Sequence, residues 1–188
     1  ISRMVHYRRS RVRGGCYFLT VTLRDRRSAL LVEHIDALRA AMGALIQRLP
    51  LRIDAMVVLP DHLHALWTLP AGDDDYSLRW QFLKARFTRI VRKRGVDQAR
   101  YRRGEYRIWQ SRFWEHTIID DADFARHVDY IHFNPVKHGL VKLPTDWRWT
   151  SLHRYVREGH LPATWCGTPE QNLEVVRAAG SAMTSGRR

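Results

Sequence analysis

The sharpest chemical signal in the sequence is the segment Pro60-Asp61-His62-Leu63-His64. Side chains at i and i+2 of a strand point to the same face. His62 and His64 therefore project together, while Leu63, Ala65, Trp67 and Leu69 pack on the other side. Two imidazoles so placed can chelate one divalent cation; the competing reading is two ordinary histidines on a half-exposed strand. A second signal is Asp129-Tyr130-Ile131-His132-Phe133-Asn134-Pro135. Phe124, Val128 and Ile131 mark an apolar helix stripe, and at about 100° per residue Tyr130 falls roughly 130° from its centre. Tyr130 and Asn134, at i and i+4, share a stripe, with Arg126 and His127 beside them. A tyrosine off the core stripe, one turn from an amide and close to basic groups, suits a nucleophile near a metal. The alternatives are a tyrosine ring packed between helix and sheet, and an asparagine that caps or turns ahead of Pro135, which disfavours helix at position 134.

These groups need elements that hold a strand against a helix. Tyr17 to Leu23 alternates, with Tyr17, Leu19, Val21 and Leu23 on one face, and reads as a strand. Leu31, Ile35, Leu38, Met42, Leu45 and Leu49 recur at helical spacing up to Pro50. Strands follow at 51–59 and 62–69, joined by a tight turn at Pro60-Asp61. Leu78, Leu83, Phe87, Ile90 and Val91 predict a second helix, residues 112–119 a fourth strand, and Asp120 or Asp121 caps a third helix ending near Phe133. The first six elements match an α+β, ferredoxin-like split βαβ arrangement with an antiparallel sheet. The helices at 31–48 and 77–94 should cover one face, with the His pair on the other.

The 188 residues suffice for one domain that buries roughly 70% of its unfolded surface. The net charge is +13, which argues for a polyanionic partner. Residues 1–13 hold five Arg and no acid, and residues 84–112 net +9, so these two segments carry the whole surplus. Their basic residues are interleaved with aromatics such as Tyr7, Phe87, Trp109 and Phe113. Cations neutralise phosphates while aromatic faces stack on unpaired bases. Arg8, Arg9, Arg11, Arg13, Lys84, Arg86, Arg89, Arg92, Arg102 and Arg103 are the candidate DNA-binding residues. No stretch approaches the roughly 18 consecutive apolar residues of a membrane helix, and residues 1–13 contain no signal-peptide core. Cys16 and Cys166 form no CxxC pair, which excludes a disulfide framework or a cysteine zinc site and agrees with the cytoplasm.

Together, the strand histidines, the tyrosine helix and the basic charge resemble the single-tyrosine HUH transposases, and within them the REP-associated tyrosine transposases. The resemblance rests on Tyr7-Arg8-Arg9, Gly15-Cys16-Tyr17-Phe18-Leu19-Thr20, Val57-Val58-Leu59 with the His pair, Trp109-Gln110, Phe113-Trp114-Glu115-His116, the run from Asp129 to Leu140, and Trp147-Arg148-Trp149-Thr150-Ser151. It implies an HUH-type core with a C-terminal tyrosine helix. Residues 1–155 would form the domain, with a basic N-terminal arm, and 156–188 a loosely ordered extension. It further implies Tyr130 as catalytic tyrosine, and His62, His64 and Asn134 as ligands of a divalent ion, Mg or Mn ahead of Zn. The implied activity is cleavage and transfer of single-stranded hairpin DNA through a 5′-phosphotyrosine, by a monomer or homodimer in the cytoplasm, at the nucleoid. Family members often carry a second tyrosine where this chain has Phe133, which leaves Tyr130 as the only nucleophile of that helix. The runner-up reading is a non-catalytic protein that grips hairpin DNA or RNA through the same basic surface. A His-based metallohydrolase of small substrates fits less well: only Asp61 offers a carboxylate beside the pair, and the charge goes unexplained.

Overall fold

Alternation of apolar side chains sets a four-stranded sheet in the computed structural model, which describes residues 11–96 and 108–167. The strands are β1 (Cys16–Thr22), β2 (Arg52–Val58), β3 (His62–Thr68) and β4 (Trp114–Thr117). Their order is β2-β3-β1-β4, and every neighbouring pair is antiparallel. Each of the two crossovers is thus split by an inserted strand, the ferredoxin-like topology that the element order predicts. The helices are α1 (Leu30–Glu33), α2 (Ile35–Arg48), α3 (Tyr76–Lys93), α4 (Asp121–Lys137) and α5 (Leu152–Arg157), with a 3-10 turn at Pro144–Asp146. The single helix expected over 31–48 is interrupted at His34. Among the described residues, no helix is long and apolar enough to cross a membrane.

Tyr17, Leu19 and Val21 of β1 and Leu63, Ala65 and Trp67 of β3 meet α2 and α3 in the larger core. Trp67 stacks on Trp80 with centroids 4.0 Å apart. Each such buried side chain contributes about 1.5–3 kcal/mol. A one-residue slip of β3 would turn this whole set to the other face, so the same packing that builds the core holds His62 and His64 on the opposite face. There Phe18, Ala55, Val57, Leu59 and Leu66 meet Val128, Tyr130 and Ile131 of α4.

α4 departs from the expected helix in two ways. Asp120 caps it, its side chain accepting from the Asp123 N–H at 2.7 Å, but the helix runs past Pro135 to Lys137. Proline removes only one helical hydrogen bond and its ring is buried. The stop is supplied by Gly139 at φ +66°. The Leu140 N–H donates to Pro135 O and the Gly139 N–H to Val136 O, both at 2.9 Å, a Schellman cap that a left-handed glycine permits. The second departure is burial of Tyr130, which is 5% exposed and belongs to the sheet-facing cluster, not to a stripe turned away from it. Residues 147–165 fold back over the helix, so α4 is packed on two sides. Trp147 Nε1 donates to Val58 O, and the rings of Tyr155 and Trp165 meet His132 at 4.8 and 5.9 Å.

His132 itself is fully buried and its Nε2 lies 2.9 Å from Ser151 Oγ. Burial pushes its pKa down from 6.5 to about 3. Below pH 6.5 the unfolded chain takes up a proton that the folded site refuses, so stability falls as pH drops from 6.5 toward 3. Between pH 6.5 and 5 this costs about 2 kcal/mol. Urea unfolding of His132→Gln should show a loss between pH 7 and pH 5 smaller by about that amount. An equal loss in the variant and the parent would contradict the assignment.

Candidate active site

β3 and α4 bring the predicted chemical groups together. The rings of His62 and His64 are 5.0 Å apart, and that of His64 is 5.2 Å from Tyr130. Phe18, on the neighbouring strand, stacks on His64 at 5.5 Å and meets Tyr130 edge-on at 5.7 Å. Asn134 follows Tyr130 by one turn of α4 and is fully buried.

The outer nitrogen of each imidazole is engaged. His62 Nδ1 lies 2.7 Å from Asp61 Oδ1, and because a carboxylate only accepts, Nδ1 donates, which leaves Nε2 as the nitrogen available to a ligand. His64 Nδ1 lies 2.7 Å from Thr20 Oγ1. His64 Nε2 and Asn134 Oδ1 are buried with no hydrogen-bond partner among the described residues. Unpaired buried polar atoms cost about 1–3 kcal/mol each, so two nitrogen donors and an amide oxygen fit a divalent ion that would satisfy them.

The surroundings are electropositive. Burial holds His64 well below its ordinary pKa, helped by His62, His138, Lys137 and Arg26. His138, whose ring is 5.0 Å from His62, is lowered to about 4, chiefly by burial. Both are neutral at pH 7. Burial pushes the Asp61 carboxyl up, but the His62 hydrogen bond and Arg26, at 2.7 Å, outweigh it and keep it ionised. Burial raises the Tyr130 phenol above its ordinary value, against a smaller lowering by a hydrogen bond with the Asn134 side chain.

Thr20, Arg26, Lys137 and His138 were not among the candidates from sequence. The alternation of β1 carries the signal for Thr20, which pairs with His64; the i+7 and i+8 spacing from Tyr130 carries that for Lys137 and His138. A further group was also missed. His116, Asp123 and His127 offer ligand atoms within 4.8 Å of one another and could hold a metal ion. Here they bond to each other: Asp123 Oδ2 accepts from His116 Nε2 at 2.8 Å and from the Ile119 N–H at 3.2 Å, and Asp123 Oδ1 lies 3.2 Å from His127 Nδ1. They tie β4 to the first turns of α4 and so help position Tyr130.

The candidate DNA-binding residues are not gathered at this centre. Arg8, Arg9, Arg102 and Arg103 lie outside the described residues. Arg11 pairs with Asp74 at 3.1 Å, and Arg13 is exposed. Lys84, Arg89, Arg92, Lys93 and Trp109 line a groove on α3, on the sheet face away from the histidines; Arg86 is half-buried on the same helix. Lys84 Nζ donates to Gln110 O. The Gln110 N–H donates to Thr22 O, and Thr22 pairs with His62. Groove and histidines thus share one end of the sheet, with residues 108–110 along the edge between them.

No family model matches the chain. It is 46% identical over 164 residues to the REP-associated tyrosine transposase of Escherichia coli, covering 87% of this chain and 92% of that protein. The chain belongs to the REP-associated tyrosine transposase family. A Haemophilus influenzae protein described under the same family is 42% identical over 91% of this chain and 98% of its own length. A solved structure of a REP-associated tyrosine transposase bound to a REP hairpin superposes with a TM-score of 0.78 at 45% identity, covering 88% of this chain and 93% of that one. This family member is accordingly a tyrosine transposase enzyme with the α+β sheet described above.

Proposed function

We propose that this transposase cleaves and rejoins single-stranded DNA at palindromic, REP-like hairpins, in the cytoplasm at the nucleoid, with Tyr130 as nucleophile and His62, His64 and Asn134 as holders of a divalent ion. The observation that carries the reading is the buried, unpartnered pair His64 Nε2 and Asn134 Oδ1 on the two elements that meet at the Tyr130 ring. The solved relative bound to a REP hairpin supports the choice of DNA. Mg or Mn suits a site that keeps positions open for phosphate oxygens, and Zn is compatible with the imidazoles. When bound, the ion would polarise the phosphodiester and steady the charge that develops on it.

The chain's own residues do the rest. Phe18 and His64 fix the phenol ring. The Tyr130 oxygen bonds to phosphorus as the bond to the 3′ oxygen breaks; the phenolic proton passes to water, and the departing 3′ oxygen takes one from water. The product is a 5′-phosphotyrosine and a 3′-hydroxyl. The tyrosine ester conserves the bond energy, so a later 3′-hydroxyl reverses the step without ATP. Asp61 and Thr20 orient the histidines. Incubation with single-stranded hairpin DNA and Mn should yield an adduct that survives a denaturing gel. Tight hairpin binding without an adduct would leave a non-catalytic binder.

Residues 84–112 and the N-terminal arm, residues 1–13, supply the backbone grip. Neutralising several of Arg86, Arg89, Arg92, Arg102 and Arg103 should weaken hairpin binding and lower the salt slope by about one unit per lost phosphate contact. Fluorescence titrations across a salt series check this; an unchanged slope moves the DNA path elsewhere.

A further inference from the structure

We infer that Lys137 is a catalytic residue of this reaction: its ammonium holds the Tyr130 oxygen as nucleophile and offsets the negative charge left on that oxygen when the phosphotyrosine bond breaks. The inference rests on the proposed tyrosine nuclease reading. Two helical turns bring residue 137 back over residue 130. Lys137 Nζ lies 3.5 Å from Tyr130 Oη and 4.9 Å from the centre of its ring. The first distance is at the outer limit of a hydrogen bond, and the flexible lysine stem can close it when charge appears on the oxygen. The geometry depends on α4 continuing through Pro135 to its cap at Gly139; a helix ending at Phe133 would have placed no lysine there.

Lys137 is set apart from the other cations near the site. Arg26 is engaged by Asp61. Among the described residues no carboxylate acts on Lys137; burial alone shifts its pKa, downward. An ammonium only donates, so Lys137 can bond the oxygen lone pair in both directions of the reaction while the phenolic proton goes to water. In rejoining, the incoming 3′-hydroxyl gives its proton to water as its oxygen bonds to phosphorus, the phosphorus–Tyr130 oxygen bond breaks, and the electron pair stays on the phenolic oxygen beside the ammonium until that oxygen takes a proton from water. The phenol is largely buried, which disfavours a bare phenolate, so a nearby fixed cation acts mainly on the state that carries the charge.

The test compares Lys137→Met, Lys137→Arg and the parent chain in single-turnover adduct formation with hairpin DNA and Mn. Hairpin affinity is measured across a salt series, and each rate is repeated on a substrate with sulfur in place of the bridging 3′ oxygen. Lys137→Met should slow adduct formation by about tenfold to hundredfold, with hairpin affinity and salt slope unchanged, Lys137→Arg should recover most of the rate, and the defect should persist with the sulfur leaving group. A normal rate in Lys137→Met would overturn the inference. So would a slowing matched by a lower salt slope, which makes Lys137 a DNA phosphate contact, or rescue by sulfur, which places it at the 3′ oxygen. If the parent chain forms no adduct, the nuclease reading fails and takes this inference with it.

Discussion

Tyr130→Phe is expected to abolish the covalent adduct with hairpin DNA while leaving hairpin affinity within about twofold. The substitution removes one oxygen whose polar neighbours are Lys137 Nζ, at 3.5 Å, and the Asn134 side chain, so stability should change by no more than about 1 kcal/mol. The ring keeps its place against Phe18 and His64. Phe133 has no hydroxyl, so no other hydroxyl in α4 can replace that of Tyr130. Denaturing gels for the adduct and gel shifts for binding separate the two effects. Loss of both together would mean that Tyr130 acts through the fold.

The second large effect is expected at the histidines. His64→Ala or His62→Ala should stop cleavage by roughly 10³-fold or more, since several kcal/mol of charge stabilisation are lost with the site. Excess Mn should rescue poorly, because one imidazole and an amide make a weak site. Removing metal from the parent chain with a chelator should give the same loss, which controls for the hole that alanine leaves beside Phe18 and Tyr130. Asn134→Ala should be milder, as its oxygen is one ligand among several. Full cleavage by His64→Ala in added Mn would remove the His pair from the chemistry.

The sheet was legible because its signal is local. Alternation in Tyr17–Leu23 and in His62–Leu69 decides which face each side chain takes, and β1 and β3 follow it without exception through Tyr17, Leu19, Val21, Leu63, Ala65 and Trp67. The placement of His62 and His64 came with it. A Tyr130 ring packed between helix and sheet was one of the two readings the sequence allowed, and the sheet-facing cluster decides for it; the second buried face of α4, at His132, was not legible, because it depends on contacts far apart in the chain. The Ser151 N–H donates to Met56 O and Val57 bridges to Thr150, drawing residues 147–165 over α4, and the periodicity of one helix reports only one buried face. The reach of α4 was misjudged for a different reason. Pro135 was read as a stop, whereas the backbone bonds around Gly139 set the end two residues later. Those two residues matter chemically, since they include Lys137.

Peptide mapping of the adduct tests the central claim most directly. The chain is incubated with labelled single-stranded hairpin DNA and Mn, denatured and digested, and the DNA-bearing peptide is sequenced by mass spectrometry. A nucleotide 5′-phosphate on Tyr130, with a free 3′-hydroxyl on the released strand, is the predicted result. An adduct on another tyrosine, such as Tyr155, or a released strand ending in a 3′-phosphate, would contradict it.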